Sequence, residues 1–101
     1  MRRYYWTGIS HQDRLLGIGE LNRVVDRHAT LLNFQRFSDV ALGMVLEVPE
    51  NRVAALWTGL AAVMTLTGDA VVPSTLERDC LVMLNVTFAK GQGNLEIEQP
   101  L

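Results

Sequence analysis

The hydrophobic pattern opens on Arg3 to Ile9, a segment rich in aromatic and β-branched side chains. The pattern predicts a first strand, ended by Gly8 and Ser10. A helical period follows. Leu15, Ile18, Leu21, Val25 and His28 recur at intervals of three and four, with Leu16 and Val24 widening the stripe, which predicts an amphipathic helix. Ser10 and Asp13 have the spacing of a capping pair, a hydroxyl at the N-cap and an acid at N3. Arg27 and His28 in the last turn suit the helix dipole. Gly17 and Gly19 each carry a penalty of about 1 kcal/mol against alanine inside a helix. Close approach of this helix to a sheet is the expected compensation.

A period of two runs from Thr30 to Phe37, with Leu32 and Phe34 on one face and Asn33 and Gln35 on the other. After a polar break at Ser38-Asp39, Leu42, Met44, Leu46 and Val48 alternate with Ala41, Gly43, Val45 and Glu47, so the two runs read as a hairpin. Pro49-Glu50-Asn51 opens a second helix whose stripe is Val53, Leu56, Trp57, Leu60, Val63 and Met64, with Gly68 placed to end it. An irregular connection, 69–79, leads to the strongest strand of the chain, Cys80 to Lys90. Gly91 to Asn94 turns it, and Leu95 and Ile97 suggest a short closing strand.

The predicted fold class is therefore α+β: a ferredoxin-like βαββαβ domain over residues 1–101. It has an antiparallel sheet, two helices on one face and a short C-terminal strand. The other sheet face carries Ala41, Val45, Leu81 and Met83, apolar enough to call for a partner or a second copy.

Composition sharpens this picture by exclusion. A chain of 101 residues with 49% apolar and 20% charged residues makes one folded domain rather than a disordered one. The net charge of −2 includes no basic stripe, so a nucleic-acid partner is not expected. A single cysteine, Cys80, rules out an internal disulfide and suits a reducing compartment. The N-terminal MRRYYW lacks the apolar core of a signal peptide. The apolar run Val53 to Leu66 is too short to span a bilayer. A cytoplasmic protein without membrane association is the expectation.

At this point the residues resemble a known family. Thr7-Gly8 at the end of a strand, Asp13-Arg14, and Leu31-Leu32-Asn33-Phe34-Gln35 are similar to motifs of the ACT domain, the small regulatory module of amino-acid metabolic enzymes. The likeness is to its glycine-cleavage repressor-like and phosphoserine phosphatase-like versions, and it covers about residues 3–66. It implies a non-catalytic regulatory or sensing module that self-associates, as a dimer, and takes a small amino-acid-like ligand on loop amides. Carried over by position, the implied ligand residues are Gln12, Asp13, Arg14 and Gly17, with Asn33 from the neighbouring strand; Ser10 opens the same loop. Amides at a helix N-terminus are free donors that favour a carboxylate. The loop diverges from the family pattern: Asp13 stands further from Thr7-Gly8, and Leu15-Leu16 replaces Pro-Gly.

Other chemistry is thin. Gly17-Ile18-Gly19 lacks the third glycine of a dinucleotide fingerprint, because residue 22 is Asn. His11, Asp13 and Cys80 have no pattern that orders them into a nucleophilic set. His28 reads as a dipole partner rather than a metal ligand. Trp57 fits a core, whereas Tyr4, Tyr5 and Trp6 are expected to be more open. No catalytic residue, metal or cofactor is assigned. The alternatives are a small enzyme on a dimeric ferredoxin-like α/β barrel, or a structural assembly domain with no ligand.

Overall fold

A computed structural model describes residues 1–89. Its elements are β1 (Arg3–Ser10), α1 (Arg14–His28), β2 (Thr30–Ser38), β3 (Ala41–Pro49), a 3-10 turn (Glu50–Arg52), α2 (Val53–Ala61), β4 (Thr65–Gly68) and β5 (Asp79–Phe88). The expected strand at Leu95–Ile97 lies outside the described residues. The α+β class and the βαββαβ order hold, with both helices on one face of the sheet. Tyr4, Trp6 and Phe88 turn to that face with Leu42, Met44 and Leu46, and form one buried cluster with Leu21 and Val25 of α1 and Leu56 and Leu60 of α2.

Two features differ from the sequence expectation, and they are linked. The second helix stops at Ala61, and Thr65–Gly68 is a strand rather than its last turn. Val63 and Met64 both donate to the Leu60 carbonyl, closing the helix early. Thr65 and Thr67 are β-branched and favour the pleated conformation, and the segment adds antiparallel to β1, Thr7 opposite Thr67. Gly68 does not cap a helix. It ends β4 at φ +138, a conformation open to glycine, and its backbone lies against Tyr5 and Trp6 too closely for a Cβ.

With β4 in the fourth position, the final strand enters the middle of the sheet. The order is β2-β3-β5-β1-β4; without β5 it is the ferredoxin-like order. β5 runs parallel to β1, from Arg3 opposite Leu81 to Ser10 opposite Phe88, and antiparallel to β3. The sheet is therefore mixed, not wholly antiparallel. A strand with neighbours on both sides and one face under helices explains the apolar row Cys80, Val82, Leu84, Val86 and Phe88, all 2% exposed or less.

The connection 69–78 makes the insertion possible by crossing beneath the start of β1 and bonding on both sides. Asp69 accepts the Tyr5 amide on its carboxylate at 2.9 Å, and its carbonyl accepts Trp6 Nε1–H at 3.0 Å. The Val72 amide donates to the Tyr4 hydroxyl at 3.1 Å. At the far end the Glu50 and Asn51 amides donate to the Arg78 and Leu76 carbonyls, each at 2.9 Å. Tyr4 and Trp6 are thus buried, contrary to the expectation that they are open, because this strap and α2 cover them; Tyr5, on the other face, is open.

Glu50 clasps the strap. Its buried carboxylate accepts Arg78 Nε–H at 2.8 Å and the Ser74 hydroxyl at 3.0 Å. The Arg78 hydrogen bond outweighs burial and, with Ser74 and the charges of Arg78 and Arg2, holds the carboxyl below the usual glutamate range. A depressed folded-state pKa gives stability that is present above the unfolded value, about 4.3 for glutamate. That stability is lost as pH falls through the folded one. Glu50→Gln should therefore lower the melting temperature at pH 7, and the gap to wild type should close on titration from pH 5 towards pH 2. A gap constant over that range would show that the charge on Glu50 does not hold the clasp.

Candidate functional site

The residues singled out on the first loop take up separate structural roles. Asp13, not Ser10, is the N-cap of α1: its backbone is extended and its Oδ1 accepts the Leu16 amide at 3.2 Å. Its carbonyl accepts the Gly17 amide at 2.9 Å. The Gly17 amide, one of those expected to receive a carboxylate, is therefore already bonded, and a fixed negative charge sits at the helix N-terminus. Ser10 belongs to β1 and points into the core, 1% exposed, with no hydrogen-bond partner for its hydroxyl among the described residues. Gly17 lies directly on it: a Cβ there would be 2.7 Å from Ser10 Oγ and 2.9 Å from the Phe88 ring. The close helix–sheet approach expected of the glycines is met at Gly17 and absent at Gly19, where a Cβ would meet nothing within 4 Å.

Gln12 is exposed, and Asn33 stands apart. Asn33 pairs with Val45 on the helix-free face of β2, three strands from β1 and at the level of Tyr5 rather than Ser10. The fold does not bring Asn33 to the loop.

Arg14 is the predicted residue that does line a cleft. The first turns of α1 overhang the β2–β3 hairpin, leaving a groove of about 160 Å³. Ile18, Phe34, Leu42 and Phe88 form its apolar walls, with the side chains of Arg14 and Arg36 beside them and Ser38 and Asp39 at the turn. Arg36 lies 3.8 Å from Asp39, both exposed. Arg14 is half-buried and makes no ion pair among the described residues. Two guanidiniums beside apolar walls can hold a small anion with an apolar body, since arginine presents a planar fork that matches a carboxylate. Sequence reading did not find Arg36 or Phe34 as partners of Arg14, because the groove forms between elements 20 residues apart.

The remaining reactive groups are dispersed. Cys80 is buried at the opposite end of the sheet from His11 and donates to the Val48 carbonyl at 3.3 Å. Burial, aided by the nearby charge of Glu50, pushes its thiol pKa up, which makes it a poor nucleophile. His11 contacts the Thr65 hydroxyl at 3.2 Å. His28 packs near Gly59 of α2, consistent with a place between helix ends. Among the described residues no three His, Cys, Asp or Glu side chains gather as a metal site, and no helix is long and apolar enough to cross a membrane. The helix-free sheet face presents Thr7, Ile9, Val45, Met83, Asn85 and Thr87 around Tyr5, a mixed surface without an acid–base pair at its centre.

This architecture defines a small α+β domain of βαββαβ order with one added central strand. Comparison with protein-family models, with curated proteins and with solved structures finds no match to the chain.

Proposed function

We propose that the chain is a non-catalytic, ACT-like binding module that senses a small carboxylate with an apolar side chain, such as an apolar amino acid. The groove carries this reading: Arg14 and Arg36 flank walls of Ile18, Phe34, Leu42 and Phe88 in a space of about 160 Å³. A dry cavity of about 150 Å³ accommodates a benzene-sized group, which matches a leucine or phenylalanine side chain better than a polar one. Arg14 comes from the loop that the resemblance singled out. The site differs from the family pattern in relying on guanidinium groups, because Asp13 occupies the helix N-terminus.

Thermal shift against the twenty amino acids tests it. A ligand at about ten times its Kd adds about 1.4 kcal/mol, which raises the melting temperature of a domain this size by roughly 6–11 °C. Apolar amino acids should give such a shift, acidic ones should not, and Arg14→Ala should abolish it. Equal shifts in wild type and Arg14→Ala would move the site elsewhere. No shift from any apolar amino acid would leave the domain to assembly alone.

A further inference from the structure

The groove under the first turns of α1 lies where the final strand leaves the sheet. Phe88, the last residue of β5, is part of its wall, and the Phe88 amide donates to the Val40 carbonyl in the hairpin turn at 2.8 Å. The next amide, of Ala89, donates to the Ser10 carbonyl at 2.9 Å, at the foot of the loop that leads to Arg14. The chain beyond Ala89 therefore starts beside the groove. Its sequence is KGQGNLEIEQPL, residues 90–101, which lie outside the described residues. Gly91, Gly93 and Asn94 are turn formers. After them, Leu95 and Ile97 alternate with Glu96 and Glu98.

The groove is complementary to that alternation. Its apolar walls are open at the mouth, where Phe34 is 49% exposed and Leu15, one helical turn from Ile18, is 80% exposed. Arg14 makes no ion pair among the described residues, and Arg36 has only its 3.8 Å contact with the exposed Asp39. An extended segment sends successive side chains to opposite sides. Leu95 or Ile97 then fits between Ile18 and Phe34, in a space of about 160 Å³, while the other rests on Leu15. Glu96 and Glu98 stay at the mouth. Arginine lays its stem along an apolar wall and extends its head to water, so Arg14 and Arg36 reach carboxylates placed there. The spacer is long enough: six residues separate Ala89 from Leu95, and six extended residues span at most about 20 Å.

We propose that residues 95–98 of this chain dock in the Arg14–Arg36 groove and compete there with its ligand. The docking stands on the groove and the tail sequence; its regulatory meaning rests on the reading of the groove as a ligand site. An acidic side chain next to an apolar one presents the same two features as an apolar amino acid, a carboxylate and a hydrocarbon body. A short tether supplies an effective concentration of about 1 mM. A segment that binds in trans with a Kd of about 0.1 mM is then docked for about nine-tenths of the time. An added amino acid finds the open groove in the remaining tenth, and its apparent affinity falls by about tenfold.

The test follows the backbone amides of residues 95–98 in the full chain by the {1H}–15N nuclear Overhauser effect, with no amino acid added. In wild type they should be nearly as rigid as those of β5. Arg14→Glu with Arg36→Glu should release them, Glu96→Arg with Glu98→Arg should do the same, and all four substitutions together should restore order. The dispersed amide signals of β1, β3 and β5 establish that each variant is folded. Wild-type amides as loose as those of a free peptide overturn the proposal. So do amides that stay rigid in Arg14→Glu with Arg36→Glu, or a fourfold exchange that fails to restore order. Rigidity that appears only at high protein concentration makes the occupant the tail of a second copy and overturns docking within one chain. The thermal shift with amino acids and this measurement fail independently, because neither contains the other's probe. Where both succeed, Glu96→Arg with Glu98→Arg should bind leucine about tenfold more tightly than wild type, and equal affinity overturns the competition.

Discussion

Trp6→Ala should cost about 3–5 kcal/mol, the usual penalty for emptying a fully buried aromatic site. That is a large part of the roughly 5–15 kcal/mol that holds a domain together. Trp6 is 1% exposed and joins three parts of the molecule that are distant in the chain. Its ring meets Trp57 of α2 edge-on at 5.0 Å and Tyr4 at 5.7 Å, and its indole N–H bonds the Asp69 carbonyl of the strap. Trp6→Phe separates these contributions. It keeps most of the ring contact and removes the donor, so the smaller loss, about 1–3 kcal/mol, is mainly that of an unpaired carbonyl. Urea unfolding gives both numbers. A Trp6→Ala loss under about 1 kcal/mol would mean that α2 and the strap are held by other contacts.

The second large effect is a contrast between two glycines on one helix. Gly17→Ala gains up to about 1 kcal/mol of helix propensity. It also forces a methyl group to within 2.7 Å of Ser10 Oγ and 2.9–3.0 Å of Phe88, both seated in the sheet. Overpacking of this kind costs about 1–3 kcal/mol, so the net effect should be destabilising. Gly19→Ala has the same propensity gain and no contact within 4 Å, and should stabilise by up to about 1 kcal/mol. Adding Ser10→Ala to Gly17→Ala should recover part of the loss, because it removes the nearest atom. If both glycine variants change stability with the same sign, α1 does not lie against β1 and β5 as described.

Much of the local structure was legible because side-chain period follows backbone geometry. The alternation in Asp79–Phe88 marks the face that is buried, and so do Leu21, Val24 and Val25 in the α1 stripe. Leu15 and Leu16 of that stripe are exposed, whereas Tyr4 and Trp6 of β1, expected open, are buried. The hairpin was legible too, with its turn one residue later than Ser38-Asp39. Misreadings occurred where two local rules competed. Met64 and Val63 continue a helical stripe that the backbone has already left, because a buried residue just after a helix satisfies the same spacing. Ser10, read as the N-cap, is instead drawn into the sheet beside Phe88, and Asp13, read as N3, takes the cap position.

Of the candidate site, Arg14 could be found from its place in a motif-like loop. Its partners Phe34 and Arg36 could not, since no local pattern ties a helix start to the middle of a later strand. By itself the sequence determined the kind of every main element except β4, the buried face of β3 and β5, and the α+β class. Tertiary structure alone decided that β5 enters between β1 and β3, that Asp13 closes the helix N-terminus, and that β2 pairs only with β3 among the described residues. Periodicity records which side of an element meets the core. Strand order, edge exposure and clefts depend on contacts between residues far apart in the chain, and the loop lengths and side chains that select them, such as the strap from Asp69 to Arg78, leave no periodic trace.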